Sequence, residues 1–215
     1  MPTPSLIGAP KTAVDTPALL VDLDVMESNI GRVVETCRTN GIGWRPHTKG
    51  QKTLEIIQKE LSAGAIGVTC AKLGEAEVLA AIGIRDILIA NQIVGPTKMR
   101  RLVDLLAVAD PIVGIDSTAH VDELGAALHG TGHTLRVAIE VDIGMLRAGV
   151  QPGAPVVALA RAIAAQPGLR FVGVMGWESH AVTIAESSEK ARVVAAAIAL
   201  LTSSAEACRL AGGHR

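Results

Sequence analysis

The sequence predicts an α/β fold of the (β/α)8 TIM-barrel type, and three observations carry that expectation. Short apolar runs rich in Val and Ile alternate with longer amphipathic segments along all 215 residues, the pattern of parallel strands joined by crossover helices. No Gly-x-Gly-x-x-Gly follows an early strand, which disfavours the dinucleotide-binding, doubly wound alternative. Polar residues gather where the apolar runs end, and a barrel places its chemistry there, at the C-terminal ends of its strands.

The elements follow in order. Ala18–Val21 is the first apolar run, and Asp24 can cap a helix reaching about Thr39. Ile42–Trp44, Ala65–Cys70, Asp86–Ala90, Ile112–Ile115, Leu135–Val141 and Phe171–Met175 are the other strand candidates. They are short and continuous, as buried parallel strands are. Helices are expected over Gln51–Leu61, Leu73–Ala81, Pro96–Val108, Ser117–Leu128, Ala154–Ala164 and Ser187–Leu210. Pro96 suits a first helical position. Gly41, Gly64, Gly83 and Gly168 suit helix ends or helix–strand junctions. A full barrel takes about 250 residues. The sequence stops where a further strand is expected, so it reads as an incomplete barrel.

Composition narrows the function. Hydrophobic residues make up 49% and charged residues 19%, with a formal net charge of −1. A packed core is expected, and no basic cluster points to nucleic acid or an anionic membrane surface. No apolar stretch reaches membrane-spanning length without polar interruption. The N-terminus lacks the basic and apolar regions of a signal peptide. Cys37, Cys70 and Cys208 form no CxxC pair, which suggests buried thiols in a reducing, cytoplasmic setting. Aromatic residues are few: Trp44, Trp177 and Phe171, with no tyrosine.

The candidate site is assembled from strand ends. Arg45, His47 and Lys49 follow one strand; Thr69, Lys72 and Glu75 the next; Asn91 and Gln92 another. Asp116, then Glu140, Asp142 and Arg147, then Trp177, Glu178 and His180 complete the set. Lys49 is its sharpest member. Burial and neighbouring cations favour the neutral amine that carbonyl chemistry requires. An isolated lysine is ordinarily a solvated surface residue; here Pro46 stiffens the backbone before it, and the neighbours are unusual. His120, His129, His133 and His214 read as surface residues, and no His/Cys/Asp cluster has metal-site spacing.

Trp44-Arg45-Pro46-His47-Thr48-Lys49-Gly50-Gln51-Lys52 resembles the Arg-Pro-His-x-Lys-x-His-Lys signature of D-threonine aldolases and eukaryotic-type D-serine dehydratases. These are alanine racemase-like (fold-type III) enzymes dependent on pyridoxal 5′-phosphate (PLP). Asp15–Asp22, Thr69–Glu77, Asp86–Gln92, Glu140–Val150 and Gly176–His180 agree in order and spacing. The resemblance implies that Lys49 is the Schiff-base lysine and that Arg147 meets the cofactor's phenolic oxygen. A salt bridge of Arg147 to Asp142 or Glu140 is the plainer alternative. His180 is expected to flank the ring or move a proton. Arg45 and His47 would position Lys49 or keep the site cationic, Asn91 and Gln92 would line the pocket, and Trp177 would wall the substrate side or fill core.

The resemblance also sets the domains. Residues 1–23 hold a first strand that joins a separate β-domain, and residues 24–215 hold a partial barrel of about six of the eight strands. It implies a lyase for D-β-hydroxy amino acids, cleaving to glycine and an aldehyde; 3-hydroxy-D-aspartate is a close variant substrate. A D-serine dehydratase, a non-catalytic PLP-binding protein and an inactive remnant are the alternatives. A homodimer is implied, as is a divalent metal (Mn, Mg, Co or Zn) whose ligands, like a glycine-rich phosphate loop, are expected beyond Arg215. Little turnover is therefore expected of these residues alone. Two departures bear on substrate choice: Gln51 stands where the signature has His, and Trp177-Glu178-Ser179 where the family often has Tyr-x-Gly.

Overall fold

The computed structural model describes residues 6–212. It divides into two compact units, Met1–Gly43 and Trp44–Arg215. In the first, α1 spans Leu23–Thr39. Its cap is Asp22 rather than Asp24: the Asp22 carboxylate accepts the Val25 N–H at 3.0 Å, while Asp24 lies in the first turn. A short 3-10 turn, Lys11–Ala13, precedes it. The strand expected at Ala18–Val21 does not form, and Leu19 is 97% exposed. An extended run becomes a strand only when a neighbour takes its backbone groups.

The second unit carries five parallel strands: β1 (Val68–Cys70), β2 (Asp86–Ile89), β3 (Asp110–Ile115), β4 (Leu135–Glu140) and β5 (Leu169–Met175). They pair strictly in chain order, β1-β2-β3-β4-β5. A doubly wound sheet reverses direction at a switch point; this one never does, so it is an arc of a barrel. Between the strands run α3 (Leu73–Ala81), α4 (Pro96–Leu106), α5 (Thr118–Leu128) and α6 (Ala154–Ala165). α2 (Leu54–Ser62) precedes the sheet, and α7 (Ser187–Leu210) follows it.

The first expected barrel strand, Ile42–Trp44, does not form, and the segment just after it keeps a single bridge, His47 to Thr69. Its backbone bonds are Ile66 N–H to Trp44 O, Thr69 N–H to Pro46 O and Thr48 N–H to Thr69 O, at 2.8–2.9 Å. Pro46 has no N–H to extend the ladder, and the chain turns directly after Thr48.

Aliphatic side chains fill the core without aromatic help. Ile87, Ile89, Val113, Ile115, Val137 and Ile139 are fully buried and pack with Leu73, Leu102, Leu124 and Ile163 of the helices. β5 differs, because none of its residues is buried. It also slips register between Val137 and Ala138 of β4, where Phe171 and Gly173 are the successive partners. Such a bulge re-aims the strand end. α7 packs on β5 and α6. By length and composition alone it could cross a membrane, an apolar stretch longer than the sequence suggested.

At the N-terminal ends of the strands lies an ionic network. Arg136 contacts Asp86 at 2.6 Å and Asp110 at 2.9 Å, and Arg45 contacts Asp86 at 2.8 Å.

Candidate active site

At the other end of the sheet, side chains from distant segments converge. Lys49 Nζ lies 4.5 Å from the centre of the Trp177 ring, and the Arg147 guanidinium carbon 5.2 Å from it. Two cations thus share one indole, a favourable electrostatic contact with the ring face. Thr48 sets the height of Lys49: it is buried, and its hydroxyl donates to Thr69 O at 3.2 Å. Lys49 itself is exposed rather than buried as expected, because the turn after Thr48 carries it over the strand ends.

His47 Nδ1 accepts the Lys49 N–H at 3.2 Å. Burial lowers the His47 pKa, the Lys49 charge lowers it further, and Glu75 opposes. The imidazole is therefore neutral at pH 7, as an acceptor must be. Glu75 accepts the Ala71 N–H at 2.9 Å and pairs with Lys52 at 3.0 Å. Burial pushes its carboxyl up, but these bonds and the charge of Lys72 outweigh it and hold the pKa below its ordinary value.

Arg147 is delivered by a loop wound on Asp142, whose carboxylate accepts the N–H groups of Gly144 at 3.1 Å and Leu146 at 3.0 Å. Burial works against that charge, yet these bonds keep the pKa low. Leu146 sits at φ +53°, a left-handed conformation unusual outside glycine. The plainer alternative for Arg147 is partly realised, since Glu140 lies 3.8 Å away. His180 packs against Gly144: a Cβ there would fall 2.7 Å from the ring. The His180 Nδ1 is buried without a hydrogen-bond partner.

Three expectations change. Arg45 is not brought to the site; it reaches the opposite end of the sheet, to Asp86 O and the Asp86 carboxylate. Gly67 makes room, since a Cβ there would collide with the Arg45 guanidinium. Asn91 is tied into the backbone, donating to Ala71 O and accepting from Gln92 N–H. His120 is 6% exposed, not a surface residue, and neither ring nitrogen has a hydrogen-bond partner. It lies four residues after Asp116, on the stripe of α5 that includes Leu124 and Leu128; that spacing was the signal available in the sequence. His129 is exposed and His133 intermediate; His214 lies outside the described residues. Gln92 faces two carboxylates, Asp116 at 3.1 Å and Glu140 at 2.6 Å. Gln51, the departure from the signature, donates to Glu60 at 3.5 Å.

The family model of the alanine racemase N-terminal domain matches residues 21–213. The chain belongs to that family. This alanine racemase N-terminal domain is 34% identical over 212 residues to D-threonine aldolase of Arthrobacter sp, covering 99% of this chain and 56% of that protein. The crystal structure of D-threonine aldolase from Filomicrobium marinum superposes with a TM-score of 0.90 at 36% identity, over 93% of this chain and 54% of that one. D-threo-3-hydroxyaspartate dehydratase from Delftia sp. HT23 gives 0.86 at 30% identity, over 93% and 53%. The domain thus spans about half the length of the relatives it matches.

Proposed function

We propose that the chain is the PLP-binding portion of a lyase for D-β-hydroxy amino acids, of the D-threonine aldolase kind, and that Lys49 holds the cofactor. One observation carries this reading: an amine, a flat aromatic face and a second cation converge where Lys49, Trp177 and Arg147 meet. PLP suits that set, because its aldehyde needs a primary amine and its anionic oxygens need cations. Lys49 has no carboxylate partner among the described residues, so its amine is available. The likeness to aldolases supports the reaction class.

When bound, PLP supplies an electron sink for carbanion chemistry. The protein's part is to place groups around it. Neutral His47 holds the Lys49 backbone without adding charge. Arg147 presents a cation to an anionic oxygen of the cofactor. Trp177 walls the site against water. His180, seated on Gly144, is the group we assign to proton movement at the substrate. Among the described residues no three His, Cys, Asp or Glu side chains converge to hold a metal ion, so no step is routed through one. A homodimer and a reducing, cytoplasmic setting belong to the same proposal; Cys37, Cys70 and Cys208 are free thiols.

Incubation with PLP, borohydride reduction and peptide mapping is expected to place the label on Lys49 and to leave Lys49→Ala unlabelled. Equal labelling of that variant overturns the assignment. With D-threonine as substrate of the full-length protein, glycine and an aldehyde are the expected products. A keto acid and ammonia from D-serine would instead support the dehydratase alternative.

A further inference from the structure

Beside the Lys49–Trp177–Arg147 stack runs a polar chain that no step above uses. The Gln92 side-chain nitrogen donates to Asp116 Oδ2 at 3.1 Å and to Glu140 Oε2 at 2.6 Å. One neutral amide therefore ties together the ends of β2, β3 and β4. Both carboxylates lead on to Arg147. The other Glu140 oxygen, Oε1, lies 3.8 Å from the Arg147 guanidinium. Asp116 Oδ2 also accepts the Gly149 N–H at 3.2 Å, in the loop that carries Arg147. The His120 ring also lies beside Asp116, with Nδ1 3.5 Å from Oδ1.

Two carboxylates within reach of one nitrogen repel each other, and repulsion grows where water is excluded. Glu140 is 7% exposed, so solvent screens it poorly. An uncharged donor with two hydrogens satisfies both at once. A carboxylate in its place would add repulsion, and an alkyl chain would offer no hydrogen.

We propose that Gln92 is a positioning residue for Arg147. It aims the guanidinium through Glu140, and it steadies the Arg147 loop through Asp116 and the Gly149 amide. Asp142 winds the first part of that loop independently, so losing the Gln92 amide frees the Arg147 side chain without unwinding its backbone. The inference rests on Arg147 being a cofactor contact.

Arginine-labelled NMR of the chain without PLP tests it. The Arg147 side-chain signal is identified by its loss in Arg147→Lys. It is expected to report restricted motion in the parent chain and free rotation in Gln92→Leu, while the Arg136 signal from the opposite end stays unchanged. An equally restricted Arg147 in Gln92→Leu overturns the proposal. Should that variant fail to fold, Gln92→Glu keeps the side-chain volume and is expected to free Arg147 in the same way. PLP affinity gives a second readout: Gln92→Leu is expected to weaken it about tenfold, the worth of one charge-assisted hydrogen bond. The double variant with Arg147→Met is expected to bind no more weakly than Arg147→Met alone. Additive losses would show that Gln92 acts elsewhere and overturn the role. A parent chain that captures no PLP would sink the cofactor reading, yet the Arg147 spectrum would still decide the role of Gln92.

Discussion

At the N-terminal ends of the strands, Arg45 and Arg136 both reach Asp86, and Arg136 also holds Asp110. At the C-terminal ends, Lys49 and Arg147 share an aromatic ring instead, and a histidine nitrogen is left without a partner. The first arrangement satisfies its charges and so holds strands together. The second leaves the Lys49 amine without a carboxylate among the described residues and Arg147 only loosely paired, 3.8 Å from Glu140, which is of use only to something that arrives. Within one unit, then, ion pairing marks the structural end and incomplete pairing the chemical end.

Removing the hub of the structural end tests this division most severely. Asp86→Ala leaves two half-buried arginines without their shared carboxylate, and is expected to cost about 2–3 kcal/mol after allowing for partial solvent screening. Thermal or urea unfolding measures the loss; borohydride labelling of Lys49 should persist. The effect also has a pH signature. Burial pushes the Asp86 carboxyl up, but Arg45 and Arg136 outweigh it and hold the pKa below the ordinary 3.8. Its stabilisation is therefore complete above that ordinary value and fades as pH falls through the lower folded one. The gap between parent and variant should close in acid; a constant gap would show that packing, not charge, is responsible.

Gly144→Ala strikes the chemical end. At φ +127°, with His180 beneath the missing Cβ, the new methyl strains the backbone and displaces the ring, at about 1–2 kcal/mol. In the full-length protein, activity should fall far more than stability, and the fall should match that of His180→Ala. A Gly144→Ala enzyme as active as the parent would remove His180 from the site.

The smallest effect belongs to neither end. Glu60 of α2 is buried with no cation beside it among the described residues, and burial raises its pKa. For an acid with a raised folded pKa, burial begins to cost stability as pH climbs through the ordinary 4.5. Glu60→Gln should raise stability by up to about 1 kcal/mol at pH 7 and by nothing near pH 4. Identical melting shifts at both pH values would contradict that assignment of cause.

How much of this was legible beforehand depended on distance along the chain. β1 to β5 announced themselves through local Val and Ile runs, and the helices between them through periodicity. Lys49, Arg147 and Trp177 could be named because each follows a strand and the barrel brings strand ends together. Arg45 could not be placed that way. It shares strand parity with His47, but its direction was decided by Asp86, 41 residues on, and by the space left at Gly67. His120 was hidden for a related reason: a histidine on an apolar stripe is ambiguous until its neighbours are known. Ala18–Val21 has the composition of a strand, yet pairing is a property of two segments.

The stacking of Lys49 and Arg147 on Trp177 has one more consequence. The chain has no tyrosine and two tryptophans, and Trp44 lies outside this stack. In Trp44→Phe, all tryptophan emission would come from the indole that touches the amine, so the site carries its own optical reporter of whatever binds there.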